Sequence, residues 1–211
     1  FIQQAALIDQ RVGKETLLLH CAQVPGQKLI IAPTGPLNRD FDDVRCFADV
    51  AKQAALLAKS AGARQPVVWV ELPAGDTYAK ATEVVYLAMA QALWQPLEGR
   101  EALGEAKVEP VSRIGLVGIT GQEAEYLHAV ETGRRLARDL CGTEPERMAP
   151  RRFADYCVQA FDGSAVQVQV ETDIDKLLAD YPLLMAVARS SLQVDRHKPA
   201  VIRLEYTGEG E

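Results

Sequence analysis

The sequence is poor in the residue types that build metal and thiol sites. It has three histidines, His20, His128 and His197, and no two of them share a ligand spacing such as i, i+4 on one helix. Its cysteines are scattered and include no Cys-x-x-Cys pair. A histidine-based metal site is therefore unsupported, and reduced thiols in a reducing compartment are favoured over a disulfide framework or a zinc site. The cysteines are Cys21, Cys46, Cys141 and Cys157.

Long hydrophobic runs are also missing. The longest candidate, residues 84–93, is interrupted by Gln91 and falls well short of the roughly 18 apolar residues that a transmembrane helix needs. No leader with charged residues ahead of an apolar stretch is present. We therefore expect a cytoplasmic protein that has no membrane partner.

An excess of basic residues is the third absence. The 23 Lys and Arg residues against 29 Asp and Glu residues give a formal net charge of −6, which argues against a nucleic-acid partner held by bulk electrostatics. The hydrophobic fraction of 48% and the charged fraction of 25% are typical of a globular protein and exclude a disordered or collagen-like chain. With 211 residues, the chain can bury a core without disulfides or metals, as one large domain or two small ones.

Short apolar runs alternate with helical patterns through the first two thirds of the chain. The runs at residues 17–19, 29–32, 66–70 and 114–119 predict buried strands. Between and after them, amphipathic spacing predicts one helix capped by Asp40, a second near residues 76–94, and a third at about 121–141. The third opens on a capping box from Thr120 to Glu123. This alternation predicts an α/β domain whose mostly parallel sheet carries helices on both faces.

The pattern changes after Gly142, where the polar residues 143–147 indicate a junction. Pro150 suits the first position of a new helix. An alternating strand at 165–170, two helices broken by Pro182, and a strand at 200–206 follow. We therefore predict an amino-terminal α/β domain over residues 1–142 that ends in a linker helix. Residues 143–211 are predicted to open a second, incomplete α/β domain, because about 70 residues are few for a free-standing one.

Two loops occupy the position where open α/β sheets usually bind small molecules, at the carboxyl ends of strands. They cover residues 32–40 and 118–121. Neither matches the Gly-x-Gly-x-x-Gly motif or the Walker phosphate loop, so a plain turn followed by a helix cap is the alternative interpretation.

Clusters of charged residues allow functional and structural interpretations alike. Carboxylates concentrate at Asp40, Asp42, Asp43, Asp173 and Asp175. Such groups can bind metals or transfer protons, but at helix starts they are more often caps. Six arginines between residues 134 and 152 favour a solvated face or an interdomain salt-bridge network over a phosphate-binding patch.

The last third of the chain resembles the leucine aminopeptidase family. The motif Gly-Arg-Arg-Leu-Ala-Arg-Asp-Leu at 133–140, followed by Pro-Glu-Arg-Met-Ala-Pro-Arg-Arg-Phe-Ala at 145–154, is similar to the linker helix and the opening of the catalytic domain in that family. Residues 181–191 and 199–208 resemble the helix and strand that come next. The chain departs from the family pattern in three ways: it is one residue shorter between Pro145 and Pro150, it lacks the usual Asn there, and Ala149 replaces a common helix-capping Thr.

The resemblance implies a hexameric, cytosolic exopeptidase in which two divalent ions, zinc or manganese, activate water and hold the amino group of a peptide substrate. The metal-binding and catalytic residues of the family come after the strand that ends at Tyr206. No catalytic, cofactor-binding or metal-binding residue is therefore assigned within residues 1–211, and the segment alone is predicted to be inactive. Residues 1–142 are expected to shape the oligomer, and residues 143–211 to begin the catalytic fold.

Three interpretations stay open at this point. The first is the amino-terminal part of a metallo-aminopeptidase that releases amino-terminal residues from peptides. The second is a non-catalytic structural or interaction protein of the same family. The third is a small-molecule-binding α/β module that uses the loop from Pro33 to Asp40.

Overall fold

The structure is a computed structural model that describes residues 1–208. The chain divides into two compact units, Phe1–Arg135 and a second that begins at Leu136. The division falls inside one long helix, so this helix contributes residues to both units.

The amino-terminal unit alternates strands and helices. Its elements are α1 (Ile2–Ile8), β1 (Leu17–His20), β2 (Lys28–Ile31), α2 (Arg45–Ser60), β3 (Val67–Val68), α3 (Ala81–Leu93), α4 (Leu97–Leu103), α5 (Glu105–Val108), β4 (Gly115–Leu116) and the first part of α6 (Gly121–Gly142).

The core of this unit lies between α2 and α3. Phe47, Ala51 and Ala55 recur at helical spacing on α2 and are buried against Val85 and Met89 of α3. The small alanine side chains leave room for close packing of the two helices. Further buried members of the same core are Tyr78, Ala81, Ala88 and Leu93. The apolar residues that recur at helical spacing on α2 therefore form its buried face.

The α/β class is confirmed, but the sheets are smaller and more mixed than the predicted, mostly parallel sheet. Strands β1 and β2 pair antiparallel, with Leu17 opposite Ile31. Among the strands of residues 1–208, only β3 and β4 pair in parallel, over two residues each. The reason is the short turn between β1 and β2, where Gly26 takes a positive φ of 75°. Parallel strands need a crossover of a dozen or more residues, so this connection can form only a hairpin.

Helix α2 begins later than the sequence predicted. Its amino-terminal cap position is Val44, so Asp40 does not cap it. The carboxylate of Asp42 instead accepts hydrogen bonds from the backbone N–H and the guanidinium of Arg39, which holds residues 39–42 in a turn. Asp43 acts at the helix start, where its Oδ1 accepts from the backbone N–H of Arg45 at 2.8 Å.

Helix α6 begins with the predicted capping box. The backbone N–H of Glu123 donates to Thr120 Oγ1 at 3.2 Å, and Glu123 Oε2 accepts from the backbone N–H of Thr120 at 2.7 Å. These two bonds satisfy N–H groups that the helix itself leaves unpaired. The bond from the Thr120 backbone N–H is the main cause that lowers the pKa of the Glu123 carboxyl, and a bond from the Thr120 hydroxyl to Glu123 Oε2 lowers it further.

Replacing Thr120 by alanine is expected to lower the free energy of unfolding by about 1 kcal/mol, because one N–H at the helix start loses its acceptor. The matched control is Thr132→Ala, since the Thr132 hydroxyl donates to the His128 carbonyl, a bond inside the same helix that leaves no group unpaired when lost. Urea unfolding should show a change within about 0.5 kcal/mol for that control. Equal losses for both variants would contradict a role of Thr120 as a cap.

The second unit combines three further helices with a two-stranded sheet. After the end of α6 come α7 (Pro150–Ala160), β5 (Val166–Glu171), α8 (Ile174–Asp180), α9 (Pro182–Ala188) and β6 (Val201–Tyr206). Strands β5 and β6 pair antiparallel with Val168 opposite Leu204. Pro150 opens α7 as predicted, and the Asp173 carboxylate caps α8 by accepting from the backbone N–H of Lys176 at 3.0 Å.

Among the helices of residues 1–208, none has both the length and the apolar character needed to cross a bilayer.

Candidate functional site

A groove of about 660 Å³ opens in the amino-terminal unit, where β4 ends and α6 begins. Gly118 takes a positive φ of 85° and turns the chain from β4 toward the helix. Ile119, Thr120 and Gly121, three residues of the predicted loop 118–121, line the groove. The carboxyl end of a parallel strand is where α/β sheets commonly bind ligands.

Helix α3 contributes both to one wall of the groove and to the core that it forms with α2. Val85 and Met89 face α2, whereas Tyr86, Ala90 and Trp94 line the groove at a spacing of four residues. Burial raises the pKa of the Tyr86 hydroxyl, and the negative charge of Glu131 raises it further. This second face of α3 was not predicted, although the spacing of four residues between Tyr86, Ala90 and Trp94 is visible in the sequence.

Ion pairs join the acidic and basic groups along the groove. Arg135 donates to Glu109 Oε2 at 2.6 Å and to Glu105 Oε1 at 2.8 Å, and Glu109 Oε1 also accepts from the backbone N–H of Gln95 at 2.6 Å. Glu131 lies 3.3 Å from the Nη1 of Arg134. Arg134 and Arg135 therefore form salt bridges, but with residues of the amino-terminal unit rather than in the predicted interdomain network.

The second predicted loop, residues 32–40, does not line this groove. It is tied to the chain elsewhere, because the Tyr78 hydroxyl donates to the Leu37 carbonyl at 3.1 Å and the Thr34 hydroxyl donates to the Gly35 carbonyl. The two loops are thus not brought together at one site.

A charged cluster lies in the second unit. Glu146 accepts from Arg196, and its Oε2 lies 2.6 Å from the Nε2 of His197. The hydrogen bond from His197 is the main cause that lowers the pKa of Glu146, with Arg196 second. A cavity of about 450 Å³ beside this cluster is lined by Arg151, Asp195, Arg196 and Lys198, of which Lys198 and Asp195 pair at 2.5 Å.

Asp139 is a buried carboxylate that the sequence analysis did not single out. Its Oδ2 accepts from the Tyr156 hydroxyl at 2.8 Å, and its carbonyl accepts from the Thr143 hydroxyl at 2.6 Å. These bonds connect the end of α6 with α7 inside the second unit. Because Asp139 lies within the Ala-Arg-Asp-Leu part of the family-like motif, that motif has a structural role here.

The histidines and cysteines are not gathered into one site. The His20 ring lies within hydrogen-bond distance of Gln27, His128 lines the groove, and His197 contacts Glu146. All four cysteines are free thiols, and burial raises the pKa of Cys157. Across residues 1–208, no three His, Cys, Asp or Glu side chains are grouped to hold a metal ion. The described residues therefore do not fit a two-metal centre, and no catalytic step is derived from them.

Comparison with known proteins gives a curated relative and a structural neighbour, while no family model matches the chain. The relative is a Caenorhabditis elegans protein named "Putative aminopeptidase W07G4.4", 34% identical over 193 residues, which are 89% of this chain. The chain spans only 36% of the length of that relative. A mutant of tomato leucine aminopeptidase has a similar fold, with a TM-score of 0.65 at 18% identity, over all of this chain and 42% of its own.

These matches show that the chain is similar in sequence to a protein with this name and similar in fold to a leucine aminopeptidase. The resemblance to the leucine aminopeptidase family, which the sequence predicted from its last third, is thereby confirmed.

Proposed function

We propose that this chain is the amino-terminal, non-catalytic part of a metallo-aminopeptidase that releases amino-terminal residues from peptides. The observation that carries the proposal is the 34% identity to a protein named as an aminopeptidase over nearly the whole chain. Two divalent ions, zinc or manganese, would be held by residues other than those described. The amino-terminal unit scaffolds a cytoplasmic homo-hexamer, and neither nucleic acid nor membrane is a partner.

The exposed apolar surface of the second unit supports this proposal. Leu183 is 85% exposed and lies four residues from the exposed Val187, so both stand on one face of α9. In the described chain, the β5–β6 sheet has two strands and two open edges, along which Val170, Leu204 and Tyr206 are exposed. Apolar surface and open strand edges of this kind mark regions that pack against further protein.

The test of the activity uses the complete natural protein. With added manganese or zinc, it should hydrolyse leucine p-nitroanilide and lose this activity after chelation, because the metals are expected to carry the chemistry. The acetylated substrate, which has no free amino group, is the control and should not be cleaved. A complete absence of hydrolysis with both metals would instead support a non-catalytic protein of the same family.

A packing role for the exposed apolar face of α9 in the second unit is tested in the same preparation. Leu183→Asp should reduce the assembled fraction severalfold in size-exclusion chromatography, because burying an unpaired carboxylate at a packing surface is costly. The matched control is Gln193→Asp, which places the same charge at an exposed polar position of the same unit. An unchanged assembly of both variants would contradict a packing role for α9.

A further inference from the structure

We propose that the groove beside β4 binds a small organic carboxylate, that is, an apolar body with one anionic head. This inference goes beyond the aminopeptidase function and does not depend on it, because the groove lies wholly within the amino-terminal unit.

The walls of the groove suit an apolar body. Tyr86 and Trp94 present aromatic rings from α3, and Leu116, Ile119 and Leu127 add aliphatic side chains from β4 and the start of α6. The volume of about 660 Å³ lies within the range typical of small-molecule sites, which combine apolar walls with a few polar groups.

The acidic groups of the groove already have cationic partners. Glu109 is paired with Arg135, and it also accepts a backbone N–H from Gln95. Glu131 is paired with Arg134, whose guanidinium also donates to the Leu87 carbonyl. Since both carboxylates are compensated in this way, they give the groove little remaining attraction for a cationic ligand.

Two other polar side chains at the rim have no such compensation. Arg113 and His128 line the groove and are exposed, and neither side chain has a hydrogen-bond or ion-pair partner within residues 1–208. A guanidinium presents a planar fork of N–H donors that matches the two oxygens of a carboxylate. Because Arg135 is shared between Glu105 and Glu109, the groove as a whole carries no excess positive charge. The selection of an anionic head over a neutral or cationic one therefore rests on the guanidinium of Arg113 itself.

The sequence provides a reporter for occupancy. Only two tryptophans are present, Trp69 and Trp94, and Trp94 lines the groove whereas Trp69 is exposed outside it. In a Trp69→Phe background of the complete protein, the emission comes from Trp94 alone within this chain. If a longer protein contains further tryptophans, their emission is measured by repeating each titration in a Trp94→Phe variant, and it is then subtracted.

The probes are 4-phenylbutyrate, its neutral amide and 4-phenylbutylamine. We expect a saturable change in Trp94 emission with the carboxylate, and binding of the amide and of the amine at least about fivefold weaker, because only the carboxylate pairs with Arg113. Equal affinity for the three probes would overturn the proposal. So would the lack of a saturable change in Trp94 emission up to about 10 mM carboxylate, because binding with a millimolar dissociation constant would be visible at that concentration.

Arg113→Gln removes the guanidinium, and the expected result is that the carboxylate then binds no better than its amide. The matched control is Arg64→Gln, an exposed arginine that does not line the groove, which should leave the preference for the carboxylate intact. Equal effects of the two variants would mean that general surface charge attracts the probe. The comparison of the three probes needs no variant, so it decides the question even if Arg113→Gln folds poorly.

Discussion

Leu177→Ala is expected to lower the free energy of unfolding of the second unit by about 2–5 kcal/mol. Leu177 lies on α8 and has 0% exposed surface, so truncating it removes buried methyl groups and leaves a cavity that the neighbouring helices fill only in part. Urea unfolding of the complete protein, followed by hydrogen exchange at the amides of α8, measures the loss. A decrease of this size is a large fraction of the stability of an ordinary domain.

The next residue along the same helix is the control for this prediction. Leu178 is 59% exposed, so the same chemical change should alter stability by no more than about 0.5 kcal/mol. The two variants share composition, helix and helix propensity, and they differ in burial alone. If Leu178→Ala is as destabilising as Leu177→Ala, then further protein covers Leu178, and the difference in burial is lost in the complete protein.

Local pattern predicted much of this fold because helices and caps depend on nearby residues. Two local predictions are confirmed: α6 begins with a capping box of Thr120 and Glu123, and α7 begins at Pro150. The sheet pairing was harder to predict, since an apolar run such as residues 29–32 looks the same in a parallel and an antiparallel pair. The turn at Gly26 decided between them, and its short length was the better guide.

The candidate site could be predicted only in part, for a physical reason. The loop at 118–121 was identified as a ligand position, because the end of a strand before a helix is a local feature. Tyr86 and Trp94 line the same groove because α3 packs on α2. This packing joins residues that are far apart in the chain, so local sequence patterns do not predict it. Burial of Asp139 likewise depends on Tyr156, which is 17 residues away.

Phe47→Ala is expected to destabilise the amino-terminal unit by about 3–5 kcal/mol and to disturb the groove as well. Phe47 is 4% exposed, and its ring centroid lies 5.5 Å from that of Tyr78, an arrangement in which aromatic pairs stabilise a core beyond their buried area. Because α3 packs against this part of α2 on one face and carries Trp94 to the groove, loosening the core should also move Trp94. Urea unfolding and Trp94 emission in the Trp69→Phe background measure the two effects together.

The matched control is Phe41→Ala, in which the same ring is removed from a residue that is 68% exposed. The Arg39 guanidinium lies 4.5 Å from the centre of that ring, a contact worth about 0.5–1 kcal/mol at an exposed site. Phe41→Ala should therefore cost at most about 1 kcal/mol and leave the Trp94 emission unchanged. A destabilised Phe47→Ala protein with unaltered Trp94 emission would show that the groove holds its shape without the α2–α3 core. In that case the walls of the groove depend chiefly on the contacts of Glu109 with Arg135 and with the backbone of Gln95.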